Sequence, residues 1–169
     1  MSEEVWHLIE AKREGDELPT IFRIRDLAPR LDLPMIYVIE LAYPVTDTSK
    51  LPGPAAYRRL GAFEDQWVVP ACQALGLELV AVKTANGCLQ AYLYGGVDPQ
   101  ALVARLSPFD GDLGFYDDDD PEWAEYAALR ELLVEAKAMR DKARVAGKPK
   151  TRASTVVEKT KPKKRARRK

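Results

Sequence analysis

Two short runs rich in β-branched and aromatic residues, 5–11 and 18–25, flank the polar stretch Arg13-Glu14-Gly15-Asp16 and predict a hairpin. In the second run, Ile21, Phe22 and Ile24 interleave with Arg23 and Arg25, which predicts one buried face and one basic, wet face. Pro29 and Pro34 break the chain before 35–43, an apolar run whose one charge is Glu40. Such a run predicts a strand lying centrally in a sheet. Helical spacing of Tyr57, Leu60, Phe63 or Glu64, Trp67, Ala71 and Ala74 predicts a helix from Pro54, closed by Gly76. Pro70 falls inside that pattern and removes the bond to the Gln66 carbonyl, so a kink or an early end is expected there.

The clearest hairpin joins 77–83 to 88–94 through Thr84-Ala85-Asn86-Gly87, because Asn-Gly tolerates the positive φ of a tight turn. Asp98 then caps a short helix over 99–106 that Pro108 stops, and 113–116 predicts one more short strand. Asp120 and Pro121 predict the start of a long helix over 121–146, with Tyr126, Leu129, Leu133 and Ala136 as its apolar stripe. Past Met139 only alanines and Val145 interrupt the charges, so its second half is expected to leave the body.

From residue 35 the order strand, helix, strand, strand, helix, strand predicts an α+β domain. Its expected form is a ferredoxin-like split βαβ sheet, extended by the N-terminal hairpin and packed by the long C-terminal helix.

Charge changes this picture at one end. Residues 148–169 hold eleven Lys or Arg and one acid, a net of +10; residues 1–147 hold fifteen bases and twenty-five acids, a net of −10. The formal net charge of zero therefore hides two parts: an acidic domain over 1–146 and a basic tail over 147–169, whose composition predicts disorder. The tail concentrates Lys159, Lys161, Lys163, Lys164, Arg165, Arg167, Arg168 and Lys169. Such a segment attracts DNA or RNA without reading sequence, by releasing condensed counterions; docking on the acidic body or on an acidic partner is the competing use. Should the body itself bind nucleic acid, Arg23, Arg25, Arg58 and Arg59 are where a basic face is expected.

Candidate chemistry is sparse. The single histidine, His7, lies on a predicted strand, where no oriented partner is legible. Cys72 and Cys88 lack ligand spacing and predict reduced, packed thiols, and neither a metal nor a cofactor is expected. Gly95-Gly96 lacks the further glycine and lysine of a phosphate loop. The acidic run Asp117-Asp118-Asp119-Asp120 is expected to be a solvated turn capping the next helix. Asp117, Asp118 and Asp119 are also candidates for docking a basic partner; an enzyme would need carboxylates such as Glu40 or Asp117. Trp6, Trp67 and Trp123 each sit in apolar-periodic segments and are expected in the core rather than on a stacking platform. The first residues lead into acids and Trp6 rather than a basic stretch and an apolar run, and no run of about 18 apolar residues occurs. The sequence therefore predicts a cytoplasmic protein without a membrane span.

The placing of several residues resembles the bacterial domain-of-unknown-function 695 family. These are Trp6, Gly15 with Pro19, Pro34, Pro52 with Leu60 and Glu64, Thr84 with Gly87, and Tyr92 with Tyr94. The run Asp120-Pro121-Glu122-Trp123-Ala124-Glu125-Tyr126 is similar to that family's closing motif. The resemblance brings no activity with it. Its architecture is similar to that of the class B regulator of ribonuclease E activity, which implies a non-enzymatic module that binds and tunes another protein. The alternative is a nucleic-acid-associated protein tethered by its tail.

Overall fold

The computed structural model describes residues 5–12 and 18–147. The predicted turn at Arg13–Asp16 and residues 148–169 of the basic tail lie outside them. Six strands form one antiparallel sheet in the order β1-β2-β4-β5-β3-β6. They are β1 (Trp6–Ala11), β2 (Thr20–Arg25), β3 (Met35–Ala42), β4 (Glu78–Ala85), β5 (Cys88–Gly95) and β6 (Leu113–Asp119). The helical connection from β3 to β4 leaves room for β5 to insert between them. β3 is flanked by β5 and β6, as its nearly unbroken apolar run requires, though it lies one strand in from an edge rather than at the centre, and the N-terminal pair extends the sheet on the β4 side.

Each face of the sheet carries its own core. On one, Tyr37, Ile39, Leu41, Val82, Ala91 and Leu93 pack against α1 (Pro54–Phe63), α2 (Val69–Leu75) and α3 (Pro99–Leu106). On the other, Ile9, Phe22, Ile24, Val38, Val80 and Tyr94 pack beneath α4 (Ala124–Ala146). Beyond Ala136 every described residue of α4 is exposed, so its second half does extend past the core. Among the described residues no helix is long and apolar enough to cross a membrane.

Local signals place the turns. Gly76 adopts φ +65° at the end of α2, and the Leu77 amide closes the cap on the Cys72 carbonyl at 2.9 Å. Asn86 and Gly87, at φ +50° and +78°, make the two-residue turn between β4 and β5. The Asp98 carboxylate accepts from the Gln100 amide at the start of α3. Of the two outcomes expected at Pro70, the early end does not occur. The ladder between α1 and α2 shifts into a π-helical turn over Glu64–Val68, and the Val69 amide bonds the Glu64 carbonyl. The widened turn accommodates the missing proline N–H, so the helix runs through Pro70 without ending.

The start of α4 also departs from expectation. The first helical residue is Ala124 rather than Pro121, because Trp123 takes the left-handed conformation, φ +58°. That backbone turns the indole inward, where it is fully buried. It stacks on Tyr94 with centroids 4.1 Å apart and donates its N–H to the Leu33 carbonyl at 2.9 Å. Asp120 still caps the helix, its carboxylate accepting from the Ala124 and Glu125 amides at 2.8 and 3.0 Å.

Candidate interaction surface

Helix α4 passes over β4, β2 and β1, leaving the same face of β3, β5 and β6 partly uncovered. Cross-strand register assembles what lies there. Lys83 faces Gln90, Gln90 faces Glu40, and Glu40 faces Gly114, so four strands contribute one row. In that row the Gln90 amide donates to Glu40 Oε1 at 2.6 Å, and the Tyr92 hydroxyl donates to Gln90 Oε1 at 3.1 Å. Gly114 is what admits the carboxylate: a Cβ there would lie 3.0 Å from both Glu40 Cβ and Oε2. The Tyr116 ring stands beside the row, 53% exposed, with its hydroxyl donating to Asp118 at 3.0 Å. Burial pushes the Tyr92 phenol up to about 12, helped by the negative charge of Glu125 and Glu40. The surface thus offers fixed acceptors and two aromatic rings as neutral hydroxyls at physiological pH.

The acidic run is not a turn. Asp117, Asp118 and Asp119 continue β6 and pair with Tyr37, Ile36 and Met35 of β3. Strand alternation therefore divides them: Asp118 shares the open face with Tyr116, while Asp117 and Asp119 point to the opposite one. Only Asp120 has the capping role expected for the run. Burial pulls its carboxyl upward, but the Tyr94 hydroxyl, donating at 2.6 Å, and the two helix amides outweigh this and hold it below the usual range.

The arginines expected to mark a basic face are neutralised or dispersed. Arg23 pairs with Glu64, and Arg25 with Glu78 at 3.0 Å. Both guanidiniums also lie over Trp6, at 5.1 and 5.8 Å from its ring centroid. Trp6 and Trp67 are half-buried against the core, so of the three tryptophans Trp123 alone is fully enclosed. Arg58 and Arg59 are exposed on α1. His7 is half-buried on β1, opposite Ile24. Cys72 is buried, which pushes its thiol up to about 12; Cys88 is half-buried beside the open row. Among the described residues no three His, Cys, Asp or Glu side chains gather as a metal site would require.

Glu40 was legible in the sequence as the one charge of a central strand. Tyr92 entered only through the family resemblance, and Gln90, Gly114 and Tyr116 carried no signal of their own. The alternation of Leu113 and Phe115 with Gly114 and Tyr116 was the available signal.

Residues 15–129 match the model of a family of unknown function, DUF695. No curated protein and no solved structure matches the chain.

Proposed function

The chain belongs to DUF695, a family of unknown function, and from that premise we propose a non-enzymatic regulatory module that binds another protein through the open face of β3, β5 and β6. The observation that carries the reading is the half-exposed row Gln90–Glu40–Gly114 with Tyr92 and Tyr116 beside it. Aromatic rings with polar tips are the side chains that anchor protein interfaces. The acceptors Glu40 and Asp118 favour a partner that brings Arg or Lys. Glu40 is tied to Gln90, and the titratable groups whose charge it feels, Tyr92 and Cys88, are both pushed up and stay protonated near neutrality, which supports binding over acid–base chemistry. The reading extends to a bacterial cytoplasmic protein that tunes its partner, in the manner of the class B regulator of ribonuclease E activity.

Capture from cells with the tagged full chain tests this. Tyr116→Ala removes an exposed ring without touching the core, and Glu40→Lys reverses the central charge. Both are expected to lower recovery of the partner at least tenfold. Val134→Lys, on the exposed flank of α4, should leave recovery unchanged. Equal recovery by all three variants would remove this face as the contact surface.

A second reading rests on a separate observation, the eight Lys and Arg between Lys159 and Lys169. They suit a loose tether to DNA or RNA, which would bring the module to partners on nucleic acid.

A further inference from the structure

The two edges of the sheet are not alike. At β6 the outer strand carries Asp117, Asp118 and Asp119, and charges on an edge strand oppose pairing with another chain. At the other edge, β1 reads Trp-His-Leu-Ile-Glu-Ala, with Glu10 as its one acid. Leu8 at its middle is 60% exposed, and Val5 just before it is 54% exposed. Among the described residues β1 pairs with β2 alone.

We propose that β1 is a homodimerisation edge, on which a second copy of this chain pairs its own β1 antiparallel about a two-fold axis at Leu8. The occupant is fixed by self-complementarity, since an isologous contact must place the same patch against itself. With the axis at Leu8, the leucines of the two copies face each other and Trp6 faces Glu10. Moving the axis to Glu10 would set two carboxylates directly opposite, which is destabilising. Moving it to Ile9 would centre the contact on a side chain already buried beneath α4 and 5% exposed. Placing it at His7 would oppose two imidazoles.

Backbone geometry agrees with Leu8. Its carbonyl accepts from the Arg140 guanidinium at 3.2 Å, a group reaching it from α4 and not from β2. In an antiparallel strand the N–H and C=O of one residue point to the same side. In the proposed dimer Leu8 turns both groups toward the second copy, and the two chains exchange them as one hydrogen-bonded pair. Arg140 occupies the carbonyl in the single chain and is displaced when the second strand arrives.

Sedimentation of the full chain over a concentration series reads this directly. The wild type is expected to show a reversible monomer–dimer equilibrium. Leu8→Lys, which sets two ammonium groups at the axis, should weaken it at least tenfold. Arg140→Ala should leave it intact or strengthen it. Leu8 is exposed, so the substitution spares the core, and an unchanged melting temperature will show that the variant folds. As a gain-of-signal test, Leu8→Cys in a Cys88→Ala background should form an oxidised dimer at least tenfold faster than Val134→Cys. A wild type that stays monomeric at all concentrations overturns the proposal. So does a dimer indifferent to Leu8→Lys, or equal cross-linking from positions 8 and 134.

Discussion

At the scale of single residues, the most informative group is the buried set Tyr94, Asp120, Trp123 and Tyr126. A left-handed backbone at a non-glycine residue costs roughly 1–2 kcal/mol. Enclosing a large side chain returns about 1.5–3 kcal/mol, and the indole adds a hydrogen bond to Leu33 and the stack on Tyr94. The gain exceeds the strain, which is why Trp123 holds φ +58°. Trp123→Ala forfeits the gain and keeps the strain, so a loss of about 3–5 kcal/mol is expected in denaturant unfolding; a wild-type midpoint would refute the placement. Tyr94→Phe removes a hydroxyl that donates to Asp120 and accepts from the Tyr126 amide at 3.1 Å. Leaving those groups unpaired should cost about 1–3 kcal/mol. Asp120 adds a pH dependence. Its folded pKa is below the usual 3.8, so the stability it confers is present above that value and lost as pH falls through the folded pKa. Stability of the wild type over Asp120→Asn should therefore be largest near neutrality, narrow below about pH 3.8, and vanish in stronger acid. A gap that widened on acidification would reverse the sign of the argument.

Among the elements, the two glycines of positive φ among the described residues, Gly76 and Gly87, allow a comparison at matched chemistry. An alanine Cβ at Gly76 would meet nothing within 4 Å, whereas at Gly87 it would meet Val45 Cγ2 at 3.0 Å. Gly76→Ala should cost about 1 kcal/mol from its backbone alone. Gly87→Ala should cost more, because Val45 must also give way, and thermal melts of the pair will rank them. Both turns were legible in the sequence because their chemistry is local: a glycine after an apolar helix, and Asn-Gly between two strands. The six strands and the caps at Gly76 and Asp98 were legible for the same reason. Three features were not. The extension of β6 through Asp119 and the left-handed Trp123 are decided by distant partners, and the π-helical turn is only one of the ways a helix can absorb the missing Pro70 N–H. Asp117–Asp119 form a strand because β3 lies beside them with Met35, Ile36 and Tyr37 in register. The interaction surface divides the same way. Glu40 could be suspected alone, but the row that joins it to Gln90 and Gly114 exists only once β5 has been inserted between β3 and β4.

Across the whole molecule, the domain and the tail carry opposite charge, and this has a consequence that ionic strength can separate. Residues 1–147, with a net of −10, should be repelled by a polyphosphate, and the ion pairs of Arg23 and Arg25 leave those two little to offer one. Residues 148–169, with a net of +10, should be attracted. Retention of the full chain on immobilised DNA is therefore expected at low salt, and the logarithm of its affinity should fall linearly with that of salt concentration, by about 0.9 for each phosphate neutralised. A chain ending at Gly147 should flow through at every salt concentration, with its melting temperature unchanged. Competition with unrelated duplexes should release the full chain equally, since a contact made only to phosphates carries no sequence information. If the truncated and full chains were retained alike, the determinant would lie in the acidic domain, against its net charge, and the tether reading would fail. The capture experiment on Tyr116 and Glu40 would be untouched by that outcome, because its variants change residues of the sheet and leave residues 148–169 as they are.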